Sequence, residues 1–169
     1  PELLLRGSPL RLDYRGFGLG ELSILVSFGP IPSLGAFYVL TGSISALPLL
    51  AGIPAGILTV NVLLSHDMIF YEAYRLAGKR SLAVLLGRVR ATQLSVALGA
   101  IAYVILVTLV ALRILQVGSL LALLALPLFL RRADLANREL PSPMYGPRTM
   151  RMFLHSVTFS LLLALGLFL

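Results

Sequence analysis

From residue 61 to residue 82 the sequence reads Asn61-Val62-Leu63-Leu64-Ser65-His66-Asp67-Met68-Ile69-Phe70-Tyr71-Glu72-Ala73-Tyr74-Arg75-Leu76-Ala77-Gly78-Lys79-Arg80-Ser81-Leu82. An amide, an imidazole and two carboxylates, Asp67 and Glu72, lead into three cations, Arg75, Lys79 and Arg80. Mg2+ takes oxygen ligands and commonly joins one or two protein carboxylates to phosphate oxygens, which makes Asp67 and Glu72 candidate metal ligands. The cations would neutralise the remaining phosphate charge, so the whole would be an ionic trap for a diphosphate. The alternative is an ordinary helix end at a membrane interface, with the carboxylates paired to Arg75 or Lys79. At 3.6 residues per turn, positions five apart lie about 140° from each other. Joint chelation by Asp67 and Glu72 therefore requires a break in the helix between them.

The elements that must position these groups are set by apolar length. The chain is 58% hydrophobic and 12% charged, against about a quarter charged in an ordinary soluble domain, and its mean hydropathy is +0.94. A bilayer needs roughly 20 apolar residues per spanning helix. The expected fold is all-α, a polytopic transmembrane bundle of about five spans forming one domain over 1–169: 22–40, 44–64, 92–112, 117–130 and 152–169. Pro30, Pro32, Pro48 and Pro54 fall inside the first two; neighbouring helices can take up the freed backbone groups, so kinked spans are expected. With no cysteine, thiolate chemistry and disulfides are excluded. The chain starts at Pro1-Glu2, which reads as a fragment boundary with sequence missing upstream.

Charge placement gives the expected orientation. Segments 65–91 and 131–151 are rich in Arg and Lys, the 41–43 link has none and the 113–116 link only Arg113. By the positive-inside tendency the N-terminal segment and the loops 65–91 and 131–151 are cytoplasmic, in a multi-pass protein of the cell membrane. All seven acidic and thirteen of the fourteen basic residues then share one side. The net charge of +7 is interrupted by lipid-compatible runs, so a nucleic-acid partner is not expected.

Three stretches resemble the UbiA superfamily of intramembrane prenyltransferases, and particularly its branch that prenylates 1,4-dihydroxy-2-naphthoate in menaquinone synthesis. Tyr14-Arg15-Gly16-Phe17-Gly18-Leu19-Gly20-Glu21 is similar to a Tyr-x-Gly-Leu-Gly-Glu helix entry, two residues longer. Phe28-Gly29 with Gly35-Ala36-Phe37-Tyr38-Val39-Leu40-Thr41-Gly42 resembles the helix that follows. Gly78-Lys79-Arg80-Ser81-Leu82-Ala83-Val84-Leu85-Leu86-Gly87 resembles the Gly-Lys-x-Thr-Leu-Ala-x-x-Leu-Gly tail of the second aspartate-rich motif. That motif places two aspartates four apart, at positions held here by Phe70 and Tyr74. The first motif, Asn-Asp-x-x-Asp, does not occur in the chain.

The resemblance implies nine helices around a lipid-open cavity, two facing aspartate-rich motifs, and a polyprenyl diphosphate bound through Mg2+. Five spans would be the C-terminal half, inactive without an N-terminal half in the same or another chain. It implies transfer of a polyprenyl group to an aromatic acceptor such as a dihydroxynaphthoate. Asp67 and Glu72 are then the expected metal ligands, and Arg75, Lys79 and Arg80 the phosphate contacts. Tyr38, Phe70, Tyr71 and Tyr74 are candidates to face the allylic cation, although aromatic residues also serve as interfacial anchors. Asn61 and His66 would orient a metal ligand or the acceptor, and Tyr14, Arg15 and Glu21 would belong to the acceptor side.

Two other readings compete. A transporter half or assembly subunit would also use broken helices, but it needs midplane polar groups in several spans, and Thr108, Ser119, Thr158 and Ser160 of spans three to five are scattered hydroxyls. A UbiA-fold enzyme with another acceptor, a polar lipid or a porphyrin side chain, differs only in cavity chemistry.

Overall fold

The computed structural model describes residues 19–79, 81–130 and 144–168, and every element among them is helical. Two helices form the first crossing, α1 (Leu19–Phe28) and α2 (Pro30–Thr41), separated at Gly29. Pro30 has no amide hydrogen to give the preceding turn, so the break falls where the sequence removes a donor. Ser33 Oγ caps the gap by donating to the Gly29 carbonyl at 2.9 Å. Ser45 then accepts the Leu47 amide at 3.2 Å and starts α3 (Ala46–Ile69), which runs through Pro54 without ending.

Beyond α3 come the short α4 (Tyr71–Leu76), the long α5 (Leu82–Ala111), a 3-10 helix (Val117–Ala125), α6 (Leu126–Leu130) and α7 (Tyr145–Gly166). Four helical stretches are long and apolar enough to cross a membrane: Gly20–Thr41, Ala46–Ile69, Leu82–Ala111 and Tyr145–Gly166. The run Val117–Leu130 is shorter and lies where the fourth of the five spans was expected. The segment expected as the loop 65–91 is mostly helical: it holds the end of α3, all of α4 and the first turns of α5.

The centre of the bundle is α3, which packs against α1, α2, α5 and α7. At its closest, its contact with the first crossing is backbone against backbone: a Cβ built on Gly56 would stand 2.4 Å from the Leu25 carbonyl oxygen, and one on Gly52 2.5 Å from that of Gly29. Small residues allow this close backbone approach, which is how helices gain packing where lipid supplies no hydrophobic drive. Ile57, Leu58, Leu106, Phe129 and Phe159 fill the main core, while Leu64, Met68, Ala83, Ala91 and Tyr145 make a second cluster toward the charged end.

Polar contacts tie the central helices. Asn61, almost fully enclosed, donates through Nδ2 to the Ser95 carbonyl at 2.9 Å and accepts Ser95 Oγ at 2.5 Å. Ser65 Oγ donates to the Asn61 carbonyl at 3.0 Å and contacts Met152 Sδ on α7. Nearer the middle, Tyr103 OH and His155 Nε2 are hydrogen-bonded at 2.8 Å. Asn61→Ala and Ser95→Ala should each lower unfolding stability in detergent by about 1 kcal/mol. The double variant should cost clearly less than the sum, which a double-mutant cycle would read as coupling.

Candidate functional site

At Ile69 the helix stops. Phe70 leaves helical geometry (φ −96, ψ 15), and α4 restarts at Tyr71, so the break that joint use of Asp67 and Glu72 requires is present. After one and a half turns, Gly78 turns the chain (φ +66) and the Lys79 amide closes back on the Tyr74 carbonyl at 2.9 Å. Ser81 then caps α5, accepting the Val84 amide. These turns bring His66, Asp67, Tyr71, Glu72, Tyr74, Arg75 and Lys79 to one end of the bundle.

Two arrangements result. On one side His66, Phe70 and Tyr74 form a ladder with ring centroids 5.1 and 5.8 Å apart, and Lys79 Nζ sits 3.4 Å from the Tyr74 centroid. The cation on the Tyr74 ring is a cation–π contact, so one aromatic face is already occupied. On the other side Glu72 binds two arginines, Arg75 Nη2 at 3.1 Å and Arg88 Nη2 at 3.5 Å. The Arg88 guanidinium also lies 5.0 Å from the Tyr71 ring and 5.3 Å from that of Tyr145, so it links α4, α5 and α7.

Asp67 differs from Glu72. It is buried, and its neighbour in charge is His66, whose half-exposed ring places Nδ1 3.9 Å from Asp67 Oδ1. A divalent ion wants several oxygen ligands. Among the described residues no group of three or more His, Cys, Asp or Glu side chains gathers to hold one, and Glu72 is committed to its arginines. The residues described here therefore do not make a metal cage by themselves.

An apolar pocket of about 510 Å3 opens beside this end, lined by Ile24 and Phe28 of α1, Val62, Leu63, His66 and Ile69 of α3, and Met150 and Phe153 of α7 among others. Glu21 stands on the first turn of α1, one turn before Ile24. Tyr38 is not brought to the site: it is exposed near the end of α2, next to the link into α3 and so at the opposite end of the bundle. Asn61 lies deeper and is spent on Ser95. Tyr14, Arg15 and Arg80 fall outside the described residues.

The UbiA prenyltransferase family model matches residues 9–157, nearly the whole chain. The chain belongs to the UbiA prenyltransferase family. This UbiA chain is 30% identical over 158 residues to the 1,4-dihydroxy-2-naphthoate octaprenyltransferase of Escherichia coli K12, covering 92% of this chain and 51% of the relative. To the protein of the same name from Bacillus subtilis 168 it is 34% identical over 107 residues, 63% of this chain and 34% of the relative. To the human UbiA prenyltransferase domain-containing protein 1 it is 34% identical over 76 residues, 45% of this chain and 22% of that protein. The UbiA chain thus spans about half the length, or less, of the curated relatives it matches. No solved structure matches it.

Sequence reasoning passed over Arg88, Tyr145 and Arg148. It counted both arginines as loop charge, yet the Arg88 side chain is 10% exposed and Arg148 is buried. A signal was available for Arg148: Tyr145, Arg148, Met152, His155 and Phe159 recur at helical spacing, and a cation on an otherwise inward stripe of a membrane helix marks a group with a job.

Proposed function

We propose that this chain supplies one half of a prenyl-transfer site, in which a polyprenyl group passes from its diphosphate to an aromatic acceptor of the dihydroxynaphthoate kind. One observation carries the reading beyond family membership: the apolar pocket is lined by His66 and Ile69 at the end of α3, next in the chain to the buried Asp67 and to α4, which carries Arg75. An apolar groove that reaches a polar helix end suits a substrate with a lipid tail and an anionic head. Asn61, taken up by Ser95, is the weakest of the expected substrate contacts.

Ionising the allylic C–O bond leaves positive charge on the prenyl carbon and negative charge on pyrophosphate. Preorganised cations at the developing anion lower that barrier; Arg75 and Lys79 are assigned to it, with Arg80 beside them in the chain. The half-exposed ring of Phe70 and the ring of Tyr71 are assigned to the cation, and Tyr74 to seating Lys79. A divalent cation such as Mg2+ would complete the charge balance, with Asp67 as the ligand we assign from this chain and further oxygens from the remainder of a full-length fold. Glu21, with Tyr14 and Arg15, is assigned to the acceptor side. The protein is an integral multi-pass membrane protein; we place the charged end on the cytoplasmic face of the cell membrane.

The test uses the full-length protein in phosphatidylcholine vesicles with a polyprenyl diphosphate and 1,4-dihydroxy-2-naphthoate. Prenylated product is expected, and EDTA should stop its formation. Failure of product to appear with this acceptor, but appearance with a hydroxylated lipid, would assign the same fold to a polar-lipid acceptor. No transfer to either would remove the enzymatic reading.

A further inference from the structure

The first turn of α7 buries two side chains whose polar atoms make no hydrogen bond among the described residues. Tyr145 is 1% exposed and Arg148 6%, and the Tyr145 hydroxyl and all three guanidinium nitrogens of Arg148 are enclosed without a hydrogen bond. Residues three apart share a helix face, so both groups project from one side of α7. The Arg88 guanidinium comes to 5.3 Å from the Tyr145 ring, so a second arginine borders the same ring.

A buried cation without a partner is among the most unfavourable arrangements a fold can hold. A long arginine near a helix end usually escapes it by reaching toward water. Arg148 does not. Its neighbourhood also differs from that of Arg75, which is 62% exposed at its side chain and already holds Glu72.

We propose that Arg148 and Tyr145, with Arg88 at the margin, form a buried subsite for a phosphate-type oxoanion. A guanidinium offers parallel N–H donors in a fork that matches two oxygens of a phosphate, and the Tyr145 hydroxyl supplies a further donor. Arg88 connects the subsite to the surface: its side chain is 10% exposed and its ion-pair partner Glu72 is 52% exposed, at 3.5 Å. An arriving oxoanion exchanges with that carboxylate for the Arg88 guanidinium and then reaches Arg148. The oxoanion is either a diphosphate or the headgroup phosphate of an anionic lipid. The subsite does not depend on prenyl transfer, since its evidence is the unsatisfied donors alone.

The experiment measures unfolding midpoint and binding of inorganic pyrophosphate by the full-length protein in phosphatidylcholine nanodiscs. Wild type is compared with Arg148→Met, Arg148→Lys and Tyr145→Phe. Without ligand, Arg148→Met should unfold at or above the wild-type temperature, because an uncompensated buried charge has been removed. Pyrophosphate should raise the wild-type midpoint, and its dissociation constant should weaken at least about tenfold in Arg148→Met, with partial recovery in Arg148→Lys and a smaller loss in Tyr145→Phe. A second arm replaces phosphatidylcholine with phosphatidylglycerol and omits pyrophosphate; Arg148-dependent stabilisation there would assign the lipid phosphate as the source. The proposal is overturned if Arg148→Met is less stable than wild type without ligand, which would make the arginine a structural anchor. It is equally overturned if the variant keeps wild-type behaviour in both arms. Loss of binding in a protein that shows no prenyl transfer would leave this subsite standing and remove only the enzymatic reading.

Discussion

Gly56→Val is expected to prevent the bundle from assembling. A Cβ at residue 56 would sit 2.4 Å from the Leu25 carbonyl oxygen and 3.3 Å from the Gly29 Cα, backbone atoms that no rotamer change can move. The α1–α2 crossing would have to lift off α3, losing the packing that holds it. Overpacking a tight core commonly costs about 1–3 kcal/mol; against backbone on both sides the cost should reach the upper end or exceed it. Thermal unfolding and size-exclusion profiles in detergent would show it as a large drop in midpoint or as loss of monodisperse protein. Gly35→Ala and Gly146→Ala are the controls, since nothing lies within 4 Å of a Cβ at either position. Equal stability in Gly56→Val and these controls would contradict the glycine-to-glycine contact.

Asp67→Asn is expected to lower prenyl transfer by the full-length protein by about a thousandfold, the scale seen when a preorganised electrostatic group is deleted. Glu72→Gln should lower it by only about tenfold, because Glu72 already spends its charge on Arg75 and Arg88. The asymmetry follows from burial: Asp67 is 7% exposed beside the pocket, whereas the Glu72 side chain is 52% exposed. Initial rates at saturating donor, with unchanged unfolding midpoints, would isolate the chemical effect. A reversed order would exchange the roles assigned to the two carboxylates. Equal small losses would remove both from the site.

Much of this was legible in the sequence because hydropathy and charge segregation are long-range signals. Four of the five expected spans overlap the long apolar helical stretches, and the period of the helix showed that Asp67 and Glu72 could act together only across a break. The Gly78-Lys79-Arg80-Ser81-Leu82 run carried the resemblance to the family, although the turn at Gly78 and the cap at Ser81 came only with the structure. What was not legible is partnership. Nothing in the residue types says that Asn61 meets Ser95, 34 positions away, instead of facing a ligand. The same holds for Glu72 and Arg88, which are brought together by the turn back at Gly78. Arg148 shows the limit most clearly, since a rule that counts cations near membrane ends gives the same weight to a solvated charge and to one enclosed between helices. Tyr38 was drawn into the site by motif alone, and the antiparallel run of α2 and α3 carries it to the far end.

Within α5, Gly87 adopts φ +77 and ψ 161, a region essentially closed to residues with a side chain. The helix is thereby divided into a short polar-end piece, begun by the Ser81 cap, and a long piece embedded in the bundle. The outer piece is nevertheless anchored, because Ala83 packs with Leu64, Met68 and Ala91, so the positive φ at Gly87 redirects the helix without freeing its end.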